Sequence, residues 1–175
     1  LWERLRRAGK LIAAGLDALD ILRIEGGTPR IGVDFQSADR AGPAEARSPA
    51  EIGLPHLAPP NRAWFNGRRA MSAAPPPRRQ ICVLAADADA IAPGASVFVK
   101  GAAQGRVTSA AYSPELRRAL CFADLAAGLA GDALEIGEVN GPRVAASVRE
   151  TAESRLAGAF RTALRGATDS RRPDV

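Results

Sequence analysis

Ser96-Val97-Phe98-Val99-Lys100-Gly101 sets four residues of strand-forming type against a Lys-Gly turn, and similar short units recur on either side. Before it stand Ile81-Cys82-Val83-Leu84 and the turn Pro93-Gly94. After it come Gly105-Arg106-Val107-Thr108-Ser109, Ala119-Leu120-Cys121-Phe122, Ala133-Leu134-Glu135-Ile136 and Arg143-Val144-Ala145-Ala146-Ser147-Val148. Ser113-Pro114 and Asn140-Gly141-Pro142 punctuate these runs. Short strands with turn chemistry between them suggest a small antiparallel barrel or sandwich. A barrel removes the open edges that invite pairing with other chains. Residues 78–150 are therefore expected to close, or nearly close, into an antiparallel β-barrel, with no helix across residues 95–109.

Upstream the pattern changes. Pro75-Pro76-Pro77 is a stiff spacer without backbone donors, and a domain boundary is placed there. Residues 1–10 have helical spacing, with Leu1, Trp2, Leu5 and Ala8 on one face. Residues 15–25 predict a second helix, with Asp17 in its first turn and Gly26-Gly27 and Pro29 ending it. Ile31-Gly32-Val33-Asp34-Phe35 reads as a short extended piece. Residues 36–62, with prolines at 43, 49, 55, 59 and 60, read as loop, with one helical turn near Ala50-Glu51-Ile52. Gly67-Arg68-Arg69-Ala70-Met71 suggests another brief helix. Residues 151–165 return to helical spacing, and 169–175 read as a frayed polar tail. The fold class is α+β, with a mixed piece over residues 1–74 preceding the barrel and a helical or disordered tail over 151–175.

Composition narrows the function classes. The 175 residues are 46% hydrophobic and 25% charged, too apolar for a wholly disordered chain. No apolar run reaches the roughly 20 residues of a membrane span, and no membrane role is expected. The net charge is +5, and only two of the 24 basic residues, Lys10 and Lys100, are lysine. The arginines come in scattered pairs, without aromatics interleaved on basic strands, so no nucleic-acid partner is expected. Cys82 and Cys121 sit in apolar runs with neither a CxxC nor a paired His, which reads as buried reduced thiols and no metal site. His56 is the only histidine and has no nucleophile in a recognisable frame. Reduced-type cysteine usage and the lack of a signal segment suggest the cytoplasm. The first residue is Leu1 rather than Met, which suggests a longer parent.

Three segments stand out in order. They are Gly15-Leu16-Asp17-Ala18-Leu19-Asp20-Ile21-Leu22-Arg23-Ile24-Glu25-Gly26-Gly27, Trp64-Phe65-Asn66-Gly67-Arg68-Arg69-Ala70-Met71, and Gly105-Arg106-Val107-Thr108-Ser109-Ala110-Ala111-Tyr112-Ser113-Pro114-Glu115-Leu116. Together they resemble the glycine cleavage T-protein family, the tetrahydrofolate-dependent aminomethyltransferases and their demethylase relatives. The first resembles the family's Leu-Arg-x-Glu-x-Gly helix, the second its Phe-x-Gly-Arg signature, and the third its Gly-x-Val-Thr-Ser-x-x-Tyr-Ser-Pro-x-Leu strand and turn. The resemblance covers residues 1 to about 150 and corresponds to the C-terminal half of a usual member.

The resemblance implies a partial folate-binding α+β domain over residues 1–74, followed by the family's C-terminal barrel. It implies tetrahydrofolate as cofactor, with Glu25, Arg62 and Tyr112 as folate-binding residues. A carboxylate suits a pterin, whose amino group and ring N–H can be accepted side by side. Gly26 and Gly27 leave room for a flat ligand. The planar fork of Arg62 suits carboxylates and aromatic faces, at a spacing to Phe65 one residue longer than in many relatives. Arg106 and Tyr112 also have a reading as barrel packing and turn structure. The family's catalytic Asp belongs to its N-terminal half, so no catalytic residue is assigned here. Neither Asp17, Asp20 nor Asp34 occupies that motif, and a third family Arg has no counterpart after Arg149. The implied partners are a lipoyl-carrier protein or the N-terminal half itself.

One reading is thus a one-carbon transferase fragment of the T-protein type. Another is a non-catalytic folate-binding member of the superfamily or a pseudo-enzyme fragment. The iron–sulfur-assembly branch carries a Lys-Gly-Cys-Tyr-x-Gly-Gln-Glu motif where this chain has Trp64-Phe65-Asn66-Gly67-Arg68-Arg69 and no Cys. A third reading is an anion-binding basic module. The segment 1–74 is expected to be the weaker half, with apolar residues such as Leu22 and Ile24 partly exposed.

Overall fold

A computed structural model describes residues 1–9, 11–59, 63–129 and 132–150. Six strands, β1 (Arg79–Ala86), β2 (Ser96–Val99), β3 (Ala102–Ser113), β4 (Arg118–Ala126), β5 (Leu134–Gly137) and β6 (Arg143–Val148), form a closed antiparallel barrel in the order β1-β4-β3-β2-β5-β6. The short pairing of β1 with β6, from Leu84↔Val148 to Ala86↔Ala146, closes it. No helix crosses residues 95–109. The hairpin β2–β3 turns on Lys100 and Gly101, both with positive φ (51° and 81°), as expected of a two-residue turn matching the strand twist.

Among the described residues, three α-helices precede the barrel, α1 (Trp2–Gly9), α2 (Leu16–Gly26) and α3 (Arg68–Ala73), with a short 3-10 helix at Pro55–Leu57. Gly27, at φ 86°, stops α2. The Gly27 N–H reaches the Ile24 carbonyl and the Thr28 N–H reaches the Arg23 carbonyl, the paired bonds of a Schellman cap. The helix expected over residues 151–165 and the tail expected over 169–175 lie outside the described residues.

β1 and β4 read as unbroken apolar runs because both of their faces are covered. Leu84, Ala86, Cys121, Ala123 and Leu125 fill the barrel with Val97, Val107, Leu134 and Ile136. Ile81, Val83, Leu120 and Phe122 point outward, and Ile24 of α2 lands on them. This corrects one expectation. Ile24 is fully buried, whereas Leu22 is 60% exposed as expected. The two side chains leave α2 on different faces, and only one face meets the barrel. The other carries Leu16, Leu19 and Leu22, all exposed.

A second correction concerns residues 31–35. They form a tight turn, not an extended piece, with Gly32 at φ 78° and its N–H on the Phe35 carbonyl at 2.7 Å. The turn near Ala50-Glu51-Ile52 is present. Ser48 N–H donates to Glu51 Oε2 at 2.8 Å, and Glu51 N–H donates to Ser48 Oγ at 3.4 Å, a reciprocal capping box. The Ile81 N–H then reaches the Glu51 carbonyl at 2.6 Å, tying this loop to the start of β1. Arg47 reinforces the tie through Asp124, which also accepts from Arg79, at 3.0 and 2.9 Å.

Candidate functional site

Glu25 is half-buried in the last turn of α2 and is held at two points. Its Oε1 accepts from the Ser113 hydroxyl at 2.5 Å. Its carbonyl accepts from Arg149 Nη1 at 3.0 Å. Ser113 is fully buried at the end of β3. Its Oγ in turn accepts the Leu116 N–H at 3.2 Å, and the Arg117 N–H reaches its carbonyl at 2.8 Å. The Ser-Pro-x-Leu turn therefore ends β3 and aims a hydroxyl at α2. Among the described residues, no hydrogen bond is drawn to Glu25 Oε2.

Tyr112 adjoins Ser113 but faces the other way. It pairs with Ala119, whose side chain belongs to the barrel interior, while Ala111 and Ser113 face α2. Its side chain is 42% exposed at the end of the barrel. The structure thus brings Glu25 to Ser113 and leaves Tyr112 across the strand from them. Arg62 lies outside the described residues.

Sequence reading missed the residues that seat α2. Asp34 is buried, and its carboxylate accepts four hydrogen bonds. Arg23 Nη1 and the Arg30 N–H reach Oδ2 at 2.7 and 2.8 Å, and the Thr108 and Ser109 hydroxyls reach Oδ1 at 2.7 and 2.6 Å. Two adjacent strand residues share this target because β3 is irregular there. Val107 pairs with Ala123 and Ser109 with Phe122, so Thr108 is the extra residue of a bulge. Arg23 completes the joint, bonding Asp20 at 2.6 Å and lying over the Phe122 ring at 5.6 Å. The signal in the sequence was Asp34 among apolar and small neighbours, an acidic residue with reason to be buried only if paired.

A groove of about 450 Å³ is lined by Ala85, Leu116, Arg118, Ser147, Arg149 and neighbouring residues. Glu25 does not line it. Burial pushes the Cys82 and Cys121 thiols up to about 12, so neither is poised as a nucleophile.

Comparison with known proteins bears on what this arrangement is. Residues 78–152 match the family model of the glycine cleavage T-protein C-terminal barrel domain. An aminomethyltransferase of Cupriavidus pinatubonensis is 30% identical over 158 residues, covering 85% of this chain and 37% of its own length. One from Moorella thermoacetica is 33% identical over 155 residues, covering 82% and 40%. The chain therefore spans about two fifths of the length of these relatives. The crystal structure of glycine cleavage system aminomethyltransferase T from Bartonella henselae superposes with a TM-score of 0.69 at 23% identity, over 87% of this chain and 42% of that one. That likeness establishes a shared fold.

Proposed function

We propose, from the premise that the chain belongs to the glycine cleavage T-protein family as the counterpart of its members' C-terminal part, that it supplies the Glu25 side of a tetrahydrofolate site for one-carbon transfer. The observation that carries this reading is the anchored carboxylate of Glu25, held at Oε1 by Ser113 and at its backbone by Arg149. An ionised carboxylate offers about four acceptor positions. Ser113 takes one, and the rest suffice for the adjacent amino and ring N–H groups of a pterin. The donor set fits the ligand, because Glu25 Oε2, which accepts from none of the described residues, is an acceptor and the pterin edge presents donors.

When bound, the folate would supply the nitrogen that accepts the one-carbon unit. This chain's own part is binding and orientation: Glu25 holds the pterin edge, and Arg62 is proposed to flank it. Tyr112 enters the reading through a ligand long enough to pass the end of β3. The exposed face of Leu16, Leu19 and Leu22 is where we propose the remaining length of the relatives packs. A lipoyl-carrier protein belongs to the same reading as the source of the aminomethyl group. Turnover by this chain alone is expected to be undetectable.

Calorimetric titration with tetrahydrofolate tests the reading. Losing a charged hydrogen-bonding partner costs about 1.5–3 kcal/mol, or roughly 10- to 100-fold in affinity. Glu25→Gln is expected to weaken binding by that factor, since its amide sets a donor against a donor. Equal binding by the two proteins would remove the support for a folate site.

A further inference from the structure

We infer that Ser113 is a positioning residue for Glu25, holding its carboxylate in the orientation that ligand binding needs. This rests on the folate reading above. The direction of the hydrogen bonds makes the case. A serine hydroxyl has one proton to donate. The Ser113 oxygen already accepts the Leu116 N–H at 3.2 Å, which orients its lone pairs within the turn. Its proton is left for Glu25 Oε1, and no acceptor competes for it among the described residues.

The surroundings make this an aimed contact. Ser113 is fully buried, so water does not substitute for it. Pro114 stiffens the turn by fixing its own φ. Arg149, from the residue following β6, holds the Glu25 carbonyl. Glu25 is thereby gripped from the end of β3 and the end of β6, two points distant in sequence that the barrel brings together. A glutamate free to rotate would lose side-chain entropy on binding a ligand. That loss corresponds to about a tenfold change in affinity, and Ser113 removes most of it in advance.

The test is calorimetric titration of the full chain with tetrahydrofolate, using variants matched for bulk. Ser113→Thr and Ser113→Val crowd the buried position alike, but only the first keeps a hydroxyl. The Thr variant is expected to bind about tenfold more tightly than the Val variant. In the Glu25→Ala background, which leaves the hydroxyl no side-chain acceptor at this position, the two are expected to bind alike, because the hydroxyl acts only through the Glu25 side chain. Equal affinities of the Thr and Val variants with Glu25 intact would overturn the inference, as would an undiminished Thr–Val difference in the Glu25→Ala background. Should either variant fail to fold, proton NMR of the unmodified chain decides. A slowly exchanging Ser113 hydroxyl with an Overhauser contact to the Glu25 side chain is expected, and a freely exchanging one overturns the assignment. If Glu25→Gln binds tetrahydrofolate as the parent does, the folate reading fails while the hydroxyl resonance still reports on the contact itself.

Discussion

Replacing Asp34 by Ala probes the joint between α2 and the barrel. The carboxylate is fully buried and accepts from Arg23, the Arg30 backbone, Thr108 and Ser109, all within 2.8 Å. Removing one partner of a buried ion pair costs about 3–5 kcal/mol, largely because the other charge is left unpaired. Here the abandoned charge is Arg23, whose side chain is only 13% exposed. Two features hold the cost to the lower part of that range. Arg23 keeps Asp20 at 2.6 Å, and Thr108 keeps a second acceptor in the Phe122 carbonyl at 3.3 Å. A loss of about 3–4 kcal/mol is expected, a large share of the 5–15 kcal/mol by which domains are stable. At 2–4 °C per kcal/mol for a chain of this size, the melting temperature should fall by roughly 6–16 °C. Urea unfolding gives the free energy, and hydrogen exchange shows where it is lost. The amides of α2 should open first, since the barrel interior has its own core. Arg23→Met combined with Asp34→Ala should cost less than the two single losses added, because no charge is then stranded. A loss below about 1 kcal/mol for Asp34→Ala would refute the claim that this carboxylate seats α2.

Gly105→Ala should destabilise by about 1–3 kcal/mol in thermal melts, because an added Cβ would run into the Asp124 carbonyl and Leu125 on the neighbouring strand. A neutral outcome would mean that β3 and β4 can part locally. The thiols of Cys82 and Cys121, held near 12 by burial against an ordinary 9.0, bind protons more tightly folded than unfolded. Their contribution is complete below about pH 9 and is lost as pH rises toward 12. Replacing both by Ala should flatten the alkaline fall of stability measured by urea unfolding, and an unchanged slope would contradict the assignment. Leu22→Lys should leave stability within about 0.5 kcal/mol and reduce self-association in sedimentation, since Leu22 is exposed on an apolar face. Marked unfolding instead would mean that this face is packed.

The strands and the α2 stop signal were legible because their causes are local. Lys100 and Gly101 both take positive φ in a two-residue turn, and the strand read at Ser96–Val99 ends there. Arg143–Val148 likewise has the bounds its sequence suggests. Gly26-Gly27 ends α2 through bonds spanning only a few residues. Glu25 was singled out in another way, by a family pattern in the helix that carries it. What holds Glu25 was not. Ser113 lies 88 residues away, and the distance closes only when β3 has paired with β4 and α2 has settled on their outer face. The same is true of Asp34, which in the sequence sits in an apparently alternating run and in the structure is the acceptor for a bulge 74 and 75 residues on. Local propensity sets turns and periodicities, because those depend on a residue and its near neighbours. Which face of α2 is buried, which residue is extra in a strand and which hydroxyl meets which carboxylate depend on register and docking, and those exist only once the barrel has closed.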